Sequence, residues 1–239
     1  MRELIVLFLY SAPLFMYSQA SDTLNAWPRL NGAFEPQISI AHPINEFAET
    51  DTSDRILFGL GGEIVAPIVQ NSPLRVGLSV RYFWSGRETR RLDLVDSNGD
   101  PFELKSKVKG SMVPVHVLVR VDPMNNTDFP ILPYIGGFAG IRFFSTNNQI
   151  TYDYDDGSEP YFENNRQVSV TSSYGLELGL HIRIGRAIFD LRYERAYGGT
   201  AKYLDMSSVT FSDQGQSSYD RLETRTDVEI YSLGVVFPF

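Results

Sequence analysis

Leu74-Arg75-Val76-Gly77-Leu78-Ser79-Val80-Arg81-Tyr82-Phe83-Trp84-Ser85 alternates without a break. Leu74, Val76, Leu78, Val80, Tyr82 and Trp84 fall on one side; Arg75, Gly77, Ser79, Arg81, Phe83 and Ser85 fall on the other. Successive side chains of a strand point to opposite faces, so a period of two spells a strand with one apolar and one mixed face. Ser173 to Ile184 repeats the pattern: Tyr174, Leu176, Leu178, Leu180, Ile182 and Ile184 oppose Gly175, Glu177, Gly179, His181 and Arg183. Weaker alternation predicts strands at 32–42, 56–66, 110–121, 132–143, 187–197 and 228–239. Each of the eight is near the length of about ten residues with which a tilted strand crosses a bilayer.

The connections alternate in length. Short ones fall at Gln70–Pro73, Asp122–Phe129 and Gly185-Arg186, and long ones near 43–55, 86–109, 144–167 and 198–227. Short turns at one end and long loops at the other are the habit of outer-membrane barrels. With eight strands both chain ends lie on the short-turn, periplasmic side, and four loops face outward. Asn98-Gly99 and Asp156-Gly157 each sit between strand-like runs, which predicts hairpins continuing beyond the membrane as twisted ribbons. The net charge of −8 falls entirely within the long connections.

Periodicity alone does not say which face is inside, because a soluble ligand-binding barrel is apolar within and a membrane barrel apolar without. Three features favour the membrane. The mixed face carries Glu63, Arg81, His116, Glu177 and Arg192 beside Gly59, Gly61, Gly77, Gly175, Gly179 and Gly234. Glycine weakens an exposed strand face but makes room inside a narrow barrel. Aromatic residues gather where the apolar face ends: Tyr82, Trp84, Phe143, Tyr174 and Tyr193 at one rim, Phe34 and Phe237 at the other. The chain closes with Tyr231, Leu233, Val235, Phe237 and Phe239 in alternation, which reads as a signal for barrel assembly.

At the other end Leu4–Tyr17 is apolar behind Arg2, and Ser18-Gln19-Ala20 offers small residues for cleavage. This reads as a secretory signal peptide over 1–20, leaving one barrel domain over 21–239. With these features Val113-Pro114-Val115-His116-Val117-Leu118 and Leu132-Pro133-Tyr134-Ile135-Gly136-Gly137-Phe138-Ala139-Gly140 resemble the small outer-membrane β-barrel families common in Bacteroidota. The resemblance spans the mature chain. It implies an all-β, eight-stranded antiparallel up-and-down transmembrane barrel in the cell outer membrane, inserted by the barrel-assembly machinery. Such families include accessory barrels of type IX secretion, and their motifs are structural and carry no activity.

A two-residue turn at Gly185-Arg186 pairs residues whose numbers sum to 371, so His181 faces Asp190, Gly179 faces Arg192 and Glu177 faces Glu194. The inferred lumen holds Arg75, Arg81, Arg120, Arg142, Arg183 and Arg192 against Glu35, Glu63, Glu177, Asp190 and Glu194. A charge network is expected among Glu63, Arg81, His116, Arg142, Glu177, His181, Asp190, Arg192 and Glu194, with Arg81 and Arg192 neutralising the opposed glutamates. So balanced an interior plugs a barrel rather than making an ion-selective pore. His181 and Asp190 would need Ser79 or Ser232 to form a catalytic set; a structural pair is the simpler reading. The acidic run Asp153–Glu159 lacks EF-hand spacing and reads as a solvated hairpin tip, with Tyr152, Tyr154, Tyr161 and Phe162 available for protein contacts or for stacking across the hairpin.

The absence of cysteine excludes disulfides, thiolate zinc sites and an N-terminal lipid thioether. No basic stripe suggests nucleic acid. The expected protein is therefore non-catalytic, without cofactor or metal, with the bilayer as its environment and extracellular loops open to a protein partner or an envelope accessory role. The alternatives are a narrow pore or transporter for small solutes, and an outer-membrane lipid-modifying enzyme or protease.

Overall fold

A computed structural model describes residues 32–50, 56–70, 72–95, 101–123, 129–154, 161–204, 210–211, 217–218 and 221–239. The expected signal peptide and the turns expected at Asn98-Gly99 and Asp156-Gly157 fall outside the described residues. The strands are β1 (Ala33–Pro43), β2 (Leu57–Pro67), β3 (Leu74–Val95), β4 (Pro101–Val121), β5 (Ile131–Tyr154), β6 (Tyr161–Ile184) and β7 (Ala187–Gly198). After them come β8 (Thr200–Leu204), β9 (Thr210–Phe211), β10 (Ser217–Ser218), β11 (Arg221–Arg225), β12 (Val228–Val235) and β13 (Phe237–Pro238), and one helix, α1 (Glu46–Thr50), follows β1. Strands β1 to β7 pair antiparallel with their sequence neighbours, and β12 pairs with both β7 and β1. The sheet is thus an eight-stranded ring, with β13 completing the closing strand.

Faces follow the alternation. Leu176 is 63% exposed while its neighbour Glu177 is 1% exposed, and the same contrast runs around the ring. A closed sheet with apolar side chains outward and charges inward is stable in lipid, where every backbone group must bond within the protein. The outer aromatic residues meet in pairs: Tyr82 with Trp84, Tyr174 with Tyr197, and Tyr193 with Tyr231.

The turn Gly185-Arg186 has Gly185 at φ +59°, and β6 meets β7 in the register Ile184↔Ala187 through Ser173↔Gly198. That φ suits the first central position of a type II′ hairpin, which glycine occupies without steric cost. The closing strand runs Gln37↔Gly234 to Pro43↔Val228 against β1, continues at Phe34↔Phe237, and ends with reciprocal backbone bonds between Gly32 and Phe239.

Above the aromatic rim the ring opens into something longer than two ribbons. β3 to β6 have 21–24 residues each, against 11 and 12 for β2 and β7. The hairpins are also joined to each other, because β4 stays paired with β5 out to Phe102↔Tyr154. The result is one four-stranded sheet. A bulge between Trp84 and Arg87 changes the β3–β4 register, from Trp84↔Ser111 to Arg87↔Lys109. Inserting one residue exchanges the two faces of a strand, so beyond the bulge β3 turns its odd positions outward. The last loop, left without elements by the sequence reading, holds two short ladders, β8 with β11 and β9 with β10.

Candidate functional site: a filled lumen and its rims

The lumen is layered. Its floor, at the short-turn end, is apolar: Ala33, Val65, Leu118, Leu132, Ile188 and Val236 are all buried. Beside it Arg75 Nε meets Asp122 Oδ2 at 2.6 Å. Asp122 lies in the turn after β4, and burial pushes its carboxyl up from its ordinary value, against the opposing pull of Arg75.

Above the floor three guanidiniums hold five carboxylates. Arg120 donates to Glu35 at 3.1 and 3.2 Å, to Glu63 at 2.9 Å and to Glu177 at 2.9 Å. Arg192 joins Glu35 at 2.8 Å and Asp190 at 2.6 Å and also contacts Glu63. Arg81 bridges Glu63 at 2.9 Å and Glu194 at 2.8 Å. Every one of these groups is at most 4% exposed. Charges taken out of water are tolerated only when paired and hydrogen-bonded, and planar guanidiniums suit several carboxylates at once.

Tyr134 is the organiser that the sequence reading did not single out. Its hydroxyl donates to Asp190 at 2.6 Å and accepts from Arg192 Nε at 2.7 Å, while the Arg120 guanidinium lies 4.1 Å over its ring. The ring needs the space above Gly179: a Cβ there would lie 2.1 Å from Tyr134 Cζ. Gly59 and Gly61 make the same kind of room for Phe83 and Arg81. Tyr134 shares parity with Arg142 on β5 and faces a glycine in the next strand, so its inward position was legible once the register was known.

The expected network is two groups rather than one. His116 and Arg142 stand apart, nearer the long-loop end. Both reach Ser173 Oγ, at 3.0 and 2.9 Å, and Arg142 also donates to the Thr226 carbonyl. Asp227 beside them accepts from Asn45 Nδ2 at 2.9 Å and from the Gly198 amide at 3.0 Å. Arg192 reaches Glu177 as expected, with Nη1 at 3.8 Å, and Arg120, outside the expected network, holds it more tightly at 2.9 Å. The acid inventory also grows, because Asp122 and Asp227, in connections next to strands, are 4% and 5% exposed.

The roof comes from the first long loop. Asn45, at φ 56°, turns the chain into α1, and Phe47 inserts over the barrel mouth to meet Phe144 edge-on at 5.9 Å. Asparagine visits this left-handed region more readily than most residues. Phe47, Phe83, Met112 and Phe144 belong to one buried cluster.

Among the described residues, neither serine considered for the catalytic alternative is hydrogen-bonded to His181. Ser232 Oγ is bonded to Ser39 Oγ at 2.8 Å, and Ser79 pairs in register with Glu63 and His116. His181 Nε2 faces Glu35 and Asp190 at 3.5 and 3.6 Å. These three side chains, and separately Glu63, Glu177 and Glu194, are close enough together to share an ion. Their oxygens, however, already serve Arg81, Arg120, Arg192 and Tyr134, and a cation would have to displace or sit against fixed guanidiniums. Of the predicted hairpin tip, Asp153 is exposed and Tyr152 is buried beside Phe102, 6.5 Å away on β4. Residues 155–159, and the side chains of Tyr154, Tyr161 and Phe162, lie outside what the structure describes.

Fold and interior together define the class: an integral outer-membrane β-barrel, with lipid against its belt and ion pairs filling its bore. No family model matches the chain, and no curated protein matches it in sequence. Among solved structures it is similar to neisserial surface protein A, at 15% identity and TM-score 0.46, over 87% of this chain and 97% of that one. It is also similar to Ail, the attachment invasion locus protein of Yersinia pestis, at 11% identity and TM-score 0.37, with the same coverage. A third is the N-terminal β-barrel domain of Pseudomonas aeruginosa OprF, at 13% identity and TM-score 0.34, over 86% and 97%.

Proposed function

We propose that this protein is a non-conducting, non-catalytic barrel whose working part is the sheet it carries above the membrane. The single observation that supports this is the division of the molecule. The bore is occupied from floor to roof by paired charges and packed rings, while the four longest strands run far past the length a bilayer requires. A rigid sheet presented by an anchored barrel suits contact with another macromolecule at the cell surface, or an accessory role in the envelope such as one in type IX secretion. The resemblance to Bacteroidota barrels belongs to this reading. So do removal of residues 1–20 on export and use of Tyr231, Leu233, Val235, Phe237 and Phe239 as the assembly signal.

Trimming 87–109 and 145–167 to short turns, which removes the upper halves of β3–β6, tests the assignment of work to the sheet. The trimmed barrel is expected to insert and to remain heat-modifiable on a gel, and to lose the surface contact or secretion phenotype of the intact protein. Full retention of every phenotype by an inserted, trimmed barrel would sink the proposal.

A further inference from the structure

The outward face of the four-stranded sheet sorts its charges by height. Reading across strands from the aromatic rim, the first row beyond Trp84 is Arg87, Lys109, Asn147 and Arg166. The second is Thr89, Lys107, Gln149 and Asn164, and the third is Arg91, Lys105, Thr151 and Phe162. These three rows hold six basic residues and no acid. The next row reverses sign with Asp93, Glu103 and Asp153. Arg91 and Lys109 are exposed, Lys105 and Lys107 half-exposed. In a chain of net charge −8, so one-sided a band is not a general property of the surface.

Its height is the informative part. Trp84 is 39% exposed beside Tyr82 on the lipid-facing side, where aromatic side chains mark the edge of the hydrocarbon. The first basic row starts three residues further on, about 10 Å along the strand and about 8 Å along the membrane normal at the usual tilt. That is the level of lipid headgroups. The bulge after Trp84 is what brings the odd residues of β3 onto this face with the lysines of β4.

We propose that the outward face of β3–β6 is a lipid-binding surface, in which Lys105, Lys107 and Lys109, flanked by Arg91 and Arg166, engage the phosphates of anionic lipid in the surrounding leaflet. This rests on the reading that the sheet stands outside the cell. The acidic row above the band sets its upper limit: a phosphate is attracted below that row and repelled at it. The band therefore fixes how deep the barrel sits and gathers a collar of phosphorylated lipid.

The test uses the mature barrel reconstituted in phosphatidylcholine bilayers containing a minor fraction of lipid A. The lipid A is bisphosphorylated in one sample and dephosphorylated in another, and the lipid retained per barrel is counted by native mass spectrometry. The wild type is expected to retain the bisphosphorylated form preferentially, and K105Q/K107Q/K109Q to retain about tenfold less or lower still, since each basic side chain near an anionic surface contributes appreciably. The preference is expected to weaken as salt is raised. D93N/E103Q/D153N, on the same face, is expected to retain at least as much as the wild type. Equal retention by the wild type and the triple lysine variant, both folded by gel mobility, overturns the proposal. So does release of the lipid by inorganic phosphate at concentrations comparable to the lipid, which would mark a site for the free ion. Labelling of Lys202, exposed on β8 at the same end of the barrel but outside the band, on intact cells by a membrane-impermeant amine reagent separates the two ideas. Labelling without lipid preference defeats only the lipid surface; absence of labelling defeats the outward placement on which it rests.

Discussion

Arg120→Ala is expected to leave a barrel that folds in low yield and unfolds at much lower urea concentration in lipid vesicles. Arg120 is completely buried and reaches Glu35, Glu63 and Glu177 while lying over Tyr134. Its removal strands three carboxylates with only Arg81 and Arg192 left among them and opens a cavity. Breaking a buried ion pair from one side typically costs about 3–5 kcal/mol, and three acceptors converge here. The expected loss is therefore at the upper end of that range or beyond it. Adding Glu177→Gln to the alanine variant should recover part of the loss, because an amide needs no counter-charge. Arg142→Ala, in the separate group near the long-loop end, should leave the response to Glu177→Gln unchanged, since sites without shared partners behave additively. An Arg120→Ala barrel with the urea midpoint of the wild type would show that the guanidinium contributes nothing to holding the bore closed.

Deleting Phe239 is expected to lower the amount of inserted barrel several-fold while changing the urea midpoint of the inserted fraction only slightly. The residue exchanges two backbone hydrogen bonds with Gly32 at the seam where the last strand meets the first, and its ring lies against Gly32. Each net hydrogen bond is worth about 1 kcal/mol. The remaining seam, Ala33↔Pro238 to Pro43↔Val228, is untouched. The thermodynamic loss is therefore modest. Assembly is affected more, on the proposal that Tyr231, Leu233, Val235, Phe237 and Phe239 are read together before closure. The measurement is a pulse-chase of heat-modifiable barrel in cells, alongside urea unfolding of purified protein. A large fall in midpoint with normal insertion kinetics would reverse the assignment.

Much of this architecture was legible because a strand in a membrane barrel meets two different solvents. Leu74–Trp84 and Tyr174–Ile184 carry a full apolar stripe, so their faces and extent could be read from the residues alone. The register of β6 on β7 followed from one turn, because a two-residue hairpin with glycine first leaves little freedom. The upper halves of β3–β6 are harder to read. Water lies outside them rather than lipid, so Lys105, Lys107 and Lys109 alternate with inward Leu104 and Ser106 without the apolar signature of a spanning strand. The bulge after Trp84 then reverses parity inside that stretch.

The interior was legible by parity and obscure by partner. Alternation places Glu63, Arg81, Glu177, His181, Asp190, Arg192 and Glu194 inside. Which guanidinium meets which carboxylate depends on side-chain reach across the bore, a distance that pairwise register does not contain. Arg120 therefore went unrecognised as the hub, and Tyr134 as its platform. Asp122 and Asp227 lie outside the predicted strands and were counted with the connections. Phe47 was hidden for another reason: a five-residue helix in an acidic loop gives no periodic signal, and its roofing role arises only from proximity to Phe144.

The central claim is that the bore is closed by its own side chains, and single-channel recording in planar bilayers tests it most directly. Reconstituted wild-type barrel, shown to be folded by its gel mobility, is expected to give no ion current above the bare bilayer across the usual voltage range. Stable, unitary conductance steps from that preparation would contradict the account and restore the narrow pore.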